Sequence, residues 1–242
     1  MSIASNLEQM RNEIADVCAR AHRDLSTVAL MAVSKMHPAE AILEAHAAGQ
    51  RLFGENRVQE WQSKQPAVAH LFTNATRSDP PAAQAHLIGP LQNNKTTKAA
   101  ELFHAIDTID SLKTATRLNE AAAALHKTLP VLIEVKLSHE PTKHGLSPDQ
   151  LPTFLAALTP LSNLRPTGLM TVPPWDEDAE TARPYFQHLR RLRDENLAAH
   201  PTLTQLSMGM SNDFVVAIEE GSTTVRIGTA IFGKRTFTNL SS

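Results

Sequence analysis

Lys35 ends the stretch TVALMAVSK, where an apolar run leads straight into an amine. Apolar surroundings disfavour the charged form of a lysine, and a neutral amine condenses with an aldehyde. Schiff-base chemistry is the reaction this placement suggests; a solvated lysine at a strand end is the plainer alternative. Near the other end of the chain, SMGMSND offers Ser207, Gly209 and Ser211 ahead of a helical pattern, and GTA offers Gly228 and Thr229. Backbone N–H groups at helix starts, joined by hydroxyls, form a nest for a phosphate. Capping by Ser211, with Met208 and Met210 in the core, accounts for the first stretch as well. Between the two lies TVRIG, a strand pattern in which Arg226 points away from the side taken by Val225 and Ile227. A buried guanidinium needs an acceptor. A pyridine nitrogen held between the amine and the phosphate nest is one candidate, and Glu134 of VLIEVKL, as an ion-pair partner, is another. Glu134 and Lys136 share a face of their own strand and could instead neutralise one another.

These groups are far apart in sequence, so the elements around them must bring them together. From Ser2 to His22, Leu7, Met10, Ile14, Val17 and Cys18 recur every three or four positions, which predicts a leading helix within residues 1–24. Beyond it, TVALMAVS, RLFGEN, HLIG, FHAIDTID, PVLIEVKL, RPTGLM, TLTQLS and TVRIG each stand ahead of a helical stretch. Strands that alternate with helices pair in parallel through right-handed crossovers, and eight such units in roughly 250 residues match a closed (β/α)8 barrel. An open doubly wound sheet is the competitor. No two glycines stand two residues apart, however, so its GxGxxG fingerprint is missing. The expected fold is thus α/β, a single TIM-barrel domain over residues 1–242. Its ligands would sit at the C-terminal strand ends, where Lys35 and both Gly/Ser/Thr loops fall. Residues 66–84, with Pro80 and Pro81 in tandem, fit the units badly and predict an expanded surface loop or a broken helix.

Composition narrows the partners. Twenty-three Lys and Arg against twenty-five Asp and Glu give a net charge of −2, with no block of either sign to attract nucleic acid or a membrane surface, so a small molecule is expected. The single cysteine, Cys18, rules out internal disulfides and reads as core filler. No hydrophobic leader or bilayer-length apolar run is present, which makes a reducing, cytoplasmic setting the expectation. HExxH, GxSxG and the Walker loop are missing, and HEPTKH spaces His139 and His144 five apart across a proline, so no metal site is expected. His86 reads as a core histidine satisfied by a polar neighbour.

The words AVSKMHP, FGENRVQE, HLIGPLQNNK, TKHGL, GLMTV and LSMGMSNDFVVAIEEGSTTVRIGTAIFG together resemble, over nearly the whole chain, the YggS/PROSC family of pyridoxal 5'-phosphate (PLP) homeostasis proteins. The resemblance implies a barrel like the N-terminal domain of alanine racemase, as in fold-type III PLP proteins, with Lys35 forming the internal aldimine and Asn56 of FGEN near the cofactor. By the same resemblance Arg226 faces the pyridine nitrogen, and Ser207, Gly228 and Thr229 hold the phosphate. Met208, Gly209 and Ile227 are then wall residues. A monomer or weak dimer is implied, with PLP and, as candidates, PLP-dependent apo-enzymes for partners. The family carries an aromatic residue, often Trp, before the His of HLIG, where this chain has Ala85. That departure and the 66–84 segment are expected to alter the outer wall of the mouth beside the third strand and to leave the cofactor contacts alone.

Three functions compete. A racemase needs acid/base groups on both faces of the substrate's α-carbon, and Lys35 can be one. In alanine racemase the other is a tyrosine of a further β domain from the partner subunit; here the sequence ends shortly after the eighth unit, and no second acid is expected. The only tyrosine, Tyr185, falls on the helix after the sixth strand, expected far from the mouth. A ring nitrogen facing arginine also stays unprotonated and makes a poorer electron sink. The expected function is therefore non-enzymatic: PLP held as a Lys35 Schiff base for homeostasis and delivery, with no catalytic residues. Weak amino-acid racemisation is the alternative. A Schiff-base aldolase with Glu55 as base is the third, although a capping or strand-end carboxylate is the plainer role of Glu55.

Overall fold

The computed structural model describes residues 2–73, 82–138 and 144–233. Its strands are β1 (Ala29–Val33), β2 (Leu52–Glu55), β3 (Gln84–Leu87), β4 (Ala105–Ile109), β5 (Leu129–Glu134), β6 (Leu164–Met170), β7 (Gln205–Ser207) and β8 (Thr224–Ile227). They pair in parallel in chain order, and β8 returns to β1 with Met31 abreast of Arg226, closing the expected barrel. The outer layer comprises α1 (Ile3–Arg20), α2 (Ala39–Ala47), α3 (Val58–Val68), α4 (Thr96–Leu102), α5 (Leu112–Ala124), α6 (Leu151–Leu158), α7 (Arg183–Leu197), α8 (Phe214–Glu219) and α9 (Thr229–Phe232). A strand covered on both faces reads as a continuous buried run, and every residue of β4 is buried accordingly.

The leading helix exists because Ser2 caps it, its Oγ accepting from the Ser5 N–H at 3.2 Å, and because its apolar stripe has somewhere to go. Leu7, Met10, Ile14, Val17 and Cys18 are all buried, and α1 packs against α2, α8 and α9. Asn6 Nδ2 donates to the Ile231 carbonyl at 2.8 Å, and Arg23 donates to the Ile218 and Ser222 carbonyls at 2.8 and 2.6 Å. The helix therefore spans the joint between the first and last units of the barrel.

The described ends of the 66–84 segment, residues 66–73 and 82–84, belong to the units on either side. α3 runs through Pro66 to Val68, a 3-10 turn follows at Ala69–Leu71, and β3 begins at Gln84; residues 74–81 lie outside the described part. The reason is burial: Val68, Phe72 and Ala83 enter the core, and the Phe72 ring stands edge-on to Trp61 and Phe53, with centroids 5.1 and 5.9 Å away. Ala85 also differs from expectation. It is the second residue of β3, near the strand's N-terminal end, and is buried between barrel and helices rather than at the mouth. Aromatic surface beside it comes from His104, whose Nδ1 accepts from the Ala85 N–H at 3.1 Å and whose ring lies 6.0 Å from Phe72. His86 points the other way, into a lower cavity of about 290 Å³, and its Nδ1 pairs with Asp107 Oδ1 at 3.1 Å. This is the satisfied histidine the sequence suggests.

Among the described residues, no helix is long and apolar enough to cross a membrane, and no group of three His, Cys, Asp or Glu side chains is placed to hold a metal ion.

Candidate functional site

β1 delivers Lys35 to the C-terminal end of the barrel in a tight turn. The Ser34 carbonyl accepts from the His37 N–H at 3.1 Å, and Met36 within the turn has φ +62°. That left-handed conformation costs a non-glycine residue about 1–2 kcal/mol. α3 holds the turn from below. Lys64 Nζ donates to the Ser34 carbonyl at 2.9 Å and to Glu55 Oε1 at 3.0 Å, Ser34 Oγ donates to Glu55 Oε1 at 2.7 Å, and Glu60 Oε1 accepts from both Lys64 and the Met36 N–H. Burial pushes the Glu55 carboxyl above the usual carboxylate range, with the Lys64 charge and the hydrogen bonds pulling it back. Glu55 is fully buried and does not line the cavity above it. It is the last residue of β2, the strand-end carboxylate of the plainer reading, and it pairs with Lys64.

The cavity at the C-terminal strand ends has a volume of about 530 Å³. Lys35, Asn56, Arg226, Gly228 and Thr229 line it, so residues predicted from opposite ends of the chain do meet; Ser207, Met208, Gly209 and Ile227 do not line it. Ser207 is fully buried, and its Oγ accepts from Arg226 Nη1 at 2.8 Å, so its first partner is the guanidinium. Met208 and Ile227 belong to the hydrophobic core, on the alternate side of their strand ends from the cavity. Gly209 turns the chain at φ +96°, where a Cβ would come within 2.5 Å of the Ala217 Cβ, and its carbonyl accepts from the Arg226 N–H at 2.9 Å. The β7–α8 loop reaches the cavity one step later, through Met210, Ser211, Asn212 and Asp213.

Arg226 is buried as its alternation predicts. Nη1 meets Ser207 and Nη2 donates to the Thr171 carbonyl at 2.9 Å, so both bonds go to neutral oxygens. Burial lowers its pKa, and the charges of Asp107, Asp213 and Glu134, in that order, oppose the shift. The guanidinium nevertheless stays charged, because its ordinary pKa lies so far above neutrality. Asp213 responds in the opposite sense: burial raises its carboxyl, against the Met210 N–H that it accepts at 2.6 Å and the Arg226 charge.

Several cavity residues are invisible to sequence spacing. His37, Glu134 and His144 bring titratable groups to the lining, and Trp175 forms an exposed rim from the loop after β6. His37 and Trp175 follow their strands by a few residues, the one signal available for them, whereas Glu134 ends β5 and is the acceptor the sequence already offers to Arg226. His139 and Lys143, beside His144, lie outside the described residues. Tyr185 sits in the first turn of α7 and does not line the cavity.

Asn56 carries the most telling atom. Its Oδ1 is buried and has no hydrogen-bond partner, an arrangement that costs about 1–3 kcal/mol unless a ligand donor meets it. Gly89, at the end of the β3 loop, packs on the same residue, and a Cβ there would stand 2.2 Å from the Asn56 carbonyl oxygen. Gly89→Ala is therefore expected to shift Asn56, to destabilise the fold by about 1–3 kcal/mol and to weaken whatever ligand the cavity takes; thermal unfolding and ligand titration of the variant check this.

A family model described as alanine racemase, N-terminal domain, matches residues 5–236. The chain belongs to that family. Within it, a pyridoxal phosphate homeostasis protein from Pseudomonas aeruginosa is 43% identical over 238 residues, 98% of this chain and 97% of its own length. The structure of PipY from Synechococcus elongatus PCC7942 with PLP bound aligns with a TM-score of 0.81 at 38% identity, covering 96% of this chain and 100% of that one. Alanine racemase from Bartonella henselae, at 17% identity and TM-score 0.69 over 96% of this chain and 58% of its own, shares the barrel.

Proposed function

We propose that this chain binds PLP in the cavity as a Schiff base on Lys35 and serves its homeostasis and delivery, with little or no turnover. The observation that carries the reading is the convergence on one cavity of an amine, an unpartnered buried acceptor on Asn56 and a buried guanidinium. The cofactor offers a complement to each: an aldehyde, a phenolic hydroxyl and a ring nitrogen. Ser211, Asn212, Gly228 and Thr229 are the polar residues left to receive a phosphate. The homeostasis proteins at 43% identity and the PLP-bound relative at 38% support the same ligand.

Once bound, PLP supplies an electrophile for amines and an electron-accepting ring. The chain's contribution is to hold it. Arg226, fixed by Ser207 and Thr171, donates N–H bonds but cannot release a proton, so a ring nitrogen facing it stays unprotonated and draws electrons weakly. That suits a carrier better than a catalyst. PLP-dependent apo-enzymes are the candidate recipients, and a monomer or weak dimer the working state.

One observation favours the second reading, weak racemisation. His37 and His144 line the cavity, and histidine exchanges protons near neutral pH. A two-part experiment separates the readings. PLP-loaded protein should absorb in the visible, and borohydride should fix the cofactor to one peptide, that containing Lys35. The same protein, incubated with single-enantiomer amino acids in deuterated water, should leave the α-hydrogen in place over many hours. Rapid deuterium incorporation would replace the carrier with a racemase; failure of borohydride fixation would remove the Schiff base.

A further inference from the structure

We propose that Glu60 and Lys64 of α3 are positioning residues for Lys35, clamping the two peptide groups on either side of it so that its amine is presented to an aldehyde. The carbonyl before Lys35, that of Ser34, accepts from Lys64 Nζ at 2.9 Å; the N–H after it, that of Met36, donates to Glu60 Oε1. The two side chains lie one helical turn apart on a single face and bond each other at 2.6 Å. Glu55 anchors the clamp from beneath, taking Lys64 Nζ and Ser34 Oγ together. Three charged side chains thus grip one tripeptide.

A structural purpose alone does not explain the arrangement. Apolar residues of similar volume would pack α3 onto β1 and β2 as well or better, because buried charges lose hydration that their pairing barely recovers. What charges supply here is directional hydrogen bonding to a backbone that resists its conformation: Met36 holds φ +62°, which a non-glycine residue keeps only where its surroundings impose it. Released, the turn would let the Lys35 backbone swing, and a long flexible side chain would multiply the displacement. Locking the backbone removes freedom that bond formation would otherwise have to overcome. Glu55, Glu60 and Lys64 do not line the cavity, so they reach a ligand only through the Lys35 turn.

This gives the clamp a signature. It affects ligands that bond to the Lys35 amine and spares those that merely fill the cavity. The inference rests on the PLP reading above, and the test separates the two. Wild type, Glu60→Ala and Glu60→Gln are titrated with PLP and with pyridoxine 5'-phosphate, which has an alcohol in place of the aldehyde, alongside thermal unfolding. Glu60 is partly exposed, and its removal leaves Lys64 paired with Glu55, so Glu60→Ala orphans no buried charge. Glu60→Ala is expected to weaken PLP roughly tenfold or more, equivalent to about 1.4 kcal/mol, and pyridoxine 5'-phosphate less than about twofold. Glu60→Gln, whose amide oxygen still accepts from the Met36 N–H, should recover most of the PLP affinity. Equal weakening of both ligands, no weakening of either, or failure of glutamine to rescue overturns the clamp while leaving PLP binding intact. Wild-type protein that takes up neither ligand overturns the PLP reading and the clamp together.

Discussion

Lys35→Ala is expected to bind PLP without colour that borohydride can fix, and with affinity reduced at least roughly 100-fold, about 2.8 kcal/mol. On the proposed Schiff base the effect is large, because the substitution would delete a covalent bond and leave Asn56, Arg226 and the two polar loops to hold the ligand alone. The turn around Lys35 is held through the Ser34 carbonyl and the Met36 N–H, neither of which belongs to the lysine side chain, and Lys35 is only half-buried. Thermal unfolding measured alongside binding separates loss of the amine from loss of the fold. Absorption spectra, mass spectrometry after reduction and a binding isotherm make the measurement. Fixation of PLP on the Lys35→Ala protein, at any other lysine and with undiminished affinity, would displace Lys35 from its assigned role.

Lys64→Met tests the layer beneath. Removing one partner of a buried ion pair leaves the other charged and unpaired, at a cost of about 3–5 kcal/mol. In a chain of this size each kcal/mol lowers the melting temperature by about 2–4 °C, so a fall of roughly 6–20 °C is expected. The deficit should depend on pH with a definite sign. Glu55 already titrates above the ordinary carboxylate range because it is buried, and loss of Lys64 raises it further. A carboxyl whose pKa rises on folding binds its proton more tightly in the native state. Native stability then improves as pH falls from above the raised pKa toward the ordinary glutamate value, and declines as pH rises through that window. Lys64→Met should thus lose less stability at about pH 5 than at about pH 8. Pairing it with Glu55→Gln should restore much of the loss, since no fully buried charge is then left unpaired; Glu60, partly exposed, keeps the Met36 N–H. A variant equally unstable at both pH values, or a double variant worse than the single, would contradict this account of the network.

The (β/α)8 architecture was legible because it rests on local periodicity: eight apolar runs each followed by a helical pattern leave few ways to pair the strands, and α1 shows its buried stripe residue by residue. Lys35 and Arg226 were legible for the same reason. One ends an apolar run at the side of the barrel that carries sites, and the other's direction follows from strand alternation. Where local pattern was silent, expectation and structure parted. Ser207 belongs to a phosphate-nest motif by composition, yet it serves Arg226, because β7 and β8 are neighbours and its hydroxyl falls beside the guanidinium. Ala85 looks like a change at the mouth, yet lies near the opposite end of its strand. Lys64 and Glu60 carry no sequence signal of their own, and their role emerges only where α3 lies against the β1 turn. His37 and His144 gain a place in the site only from lining the same cavity as Lys35. Periodicity along the chain determines which elements form and which way each side chain leaves its strand. The partner a side chain meets there depends on contacts between residues distant in sequence, and those were decided by the closing of the barrel.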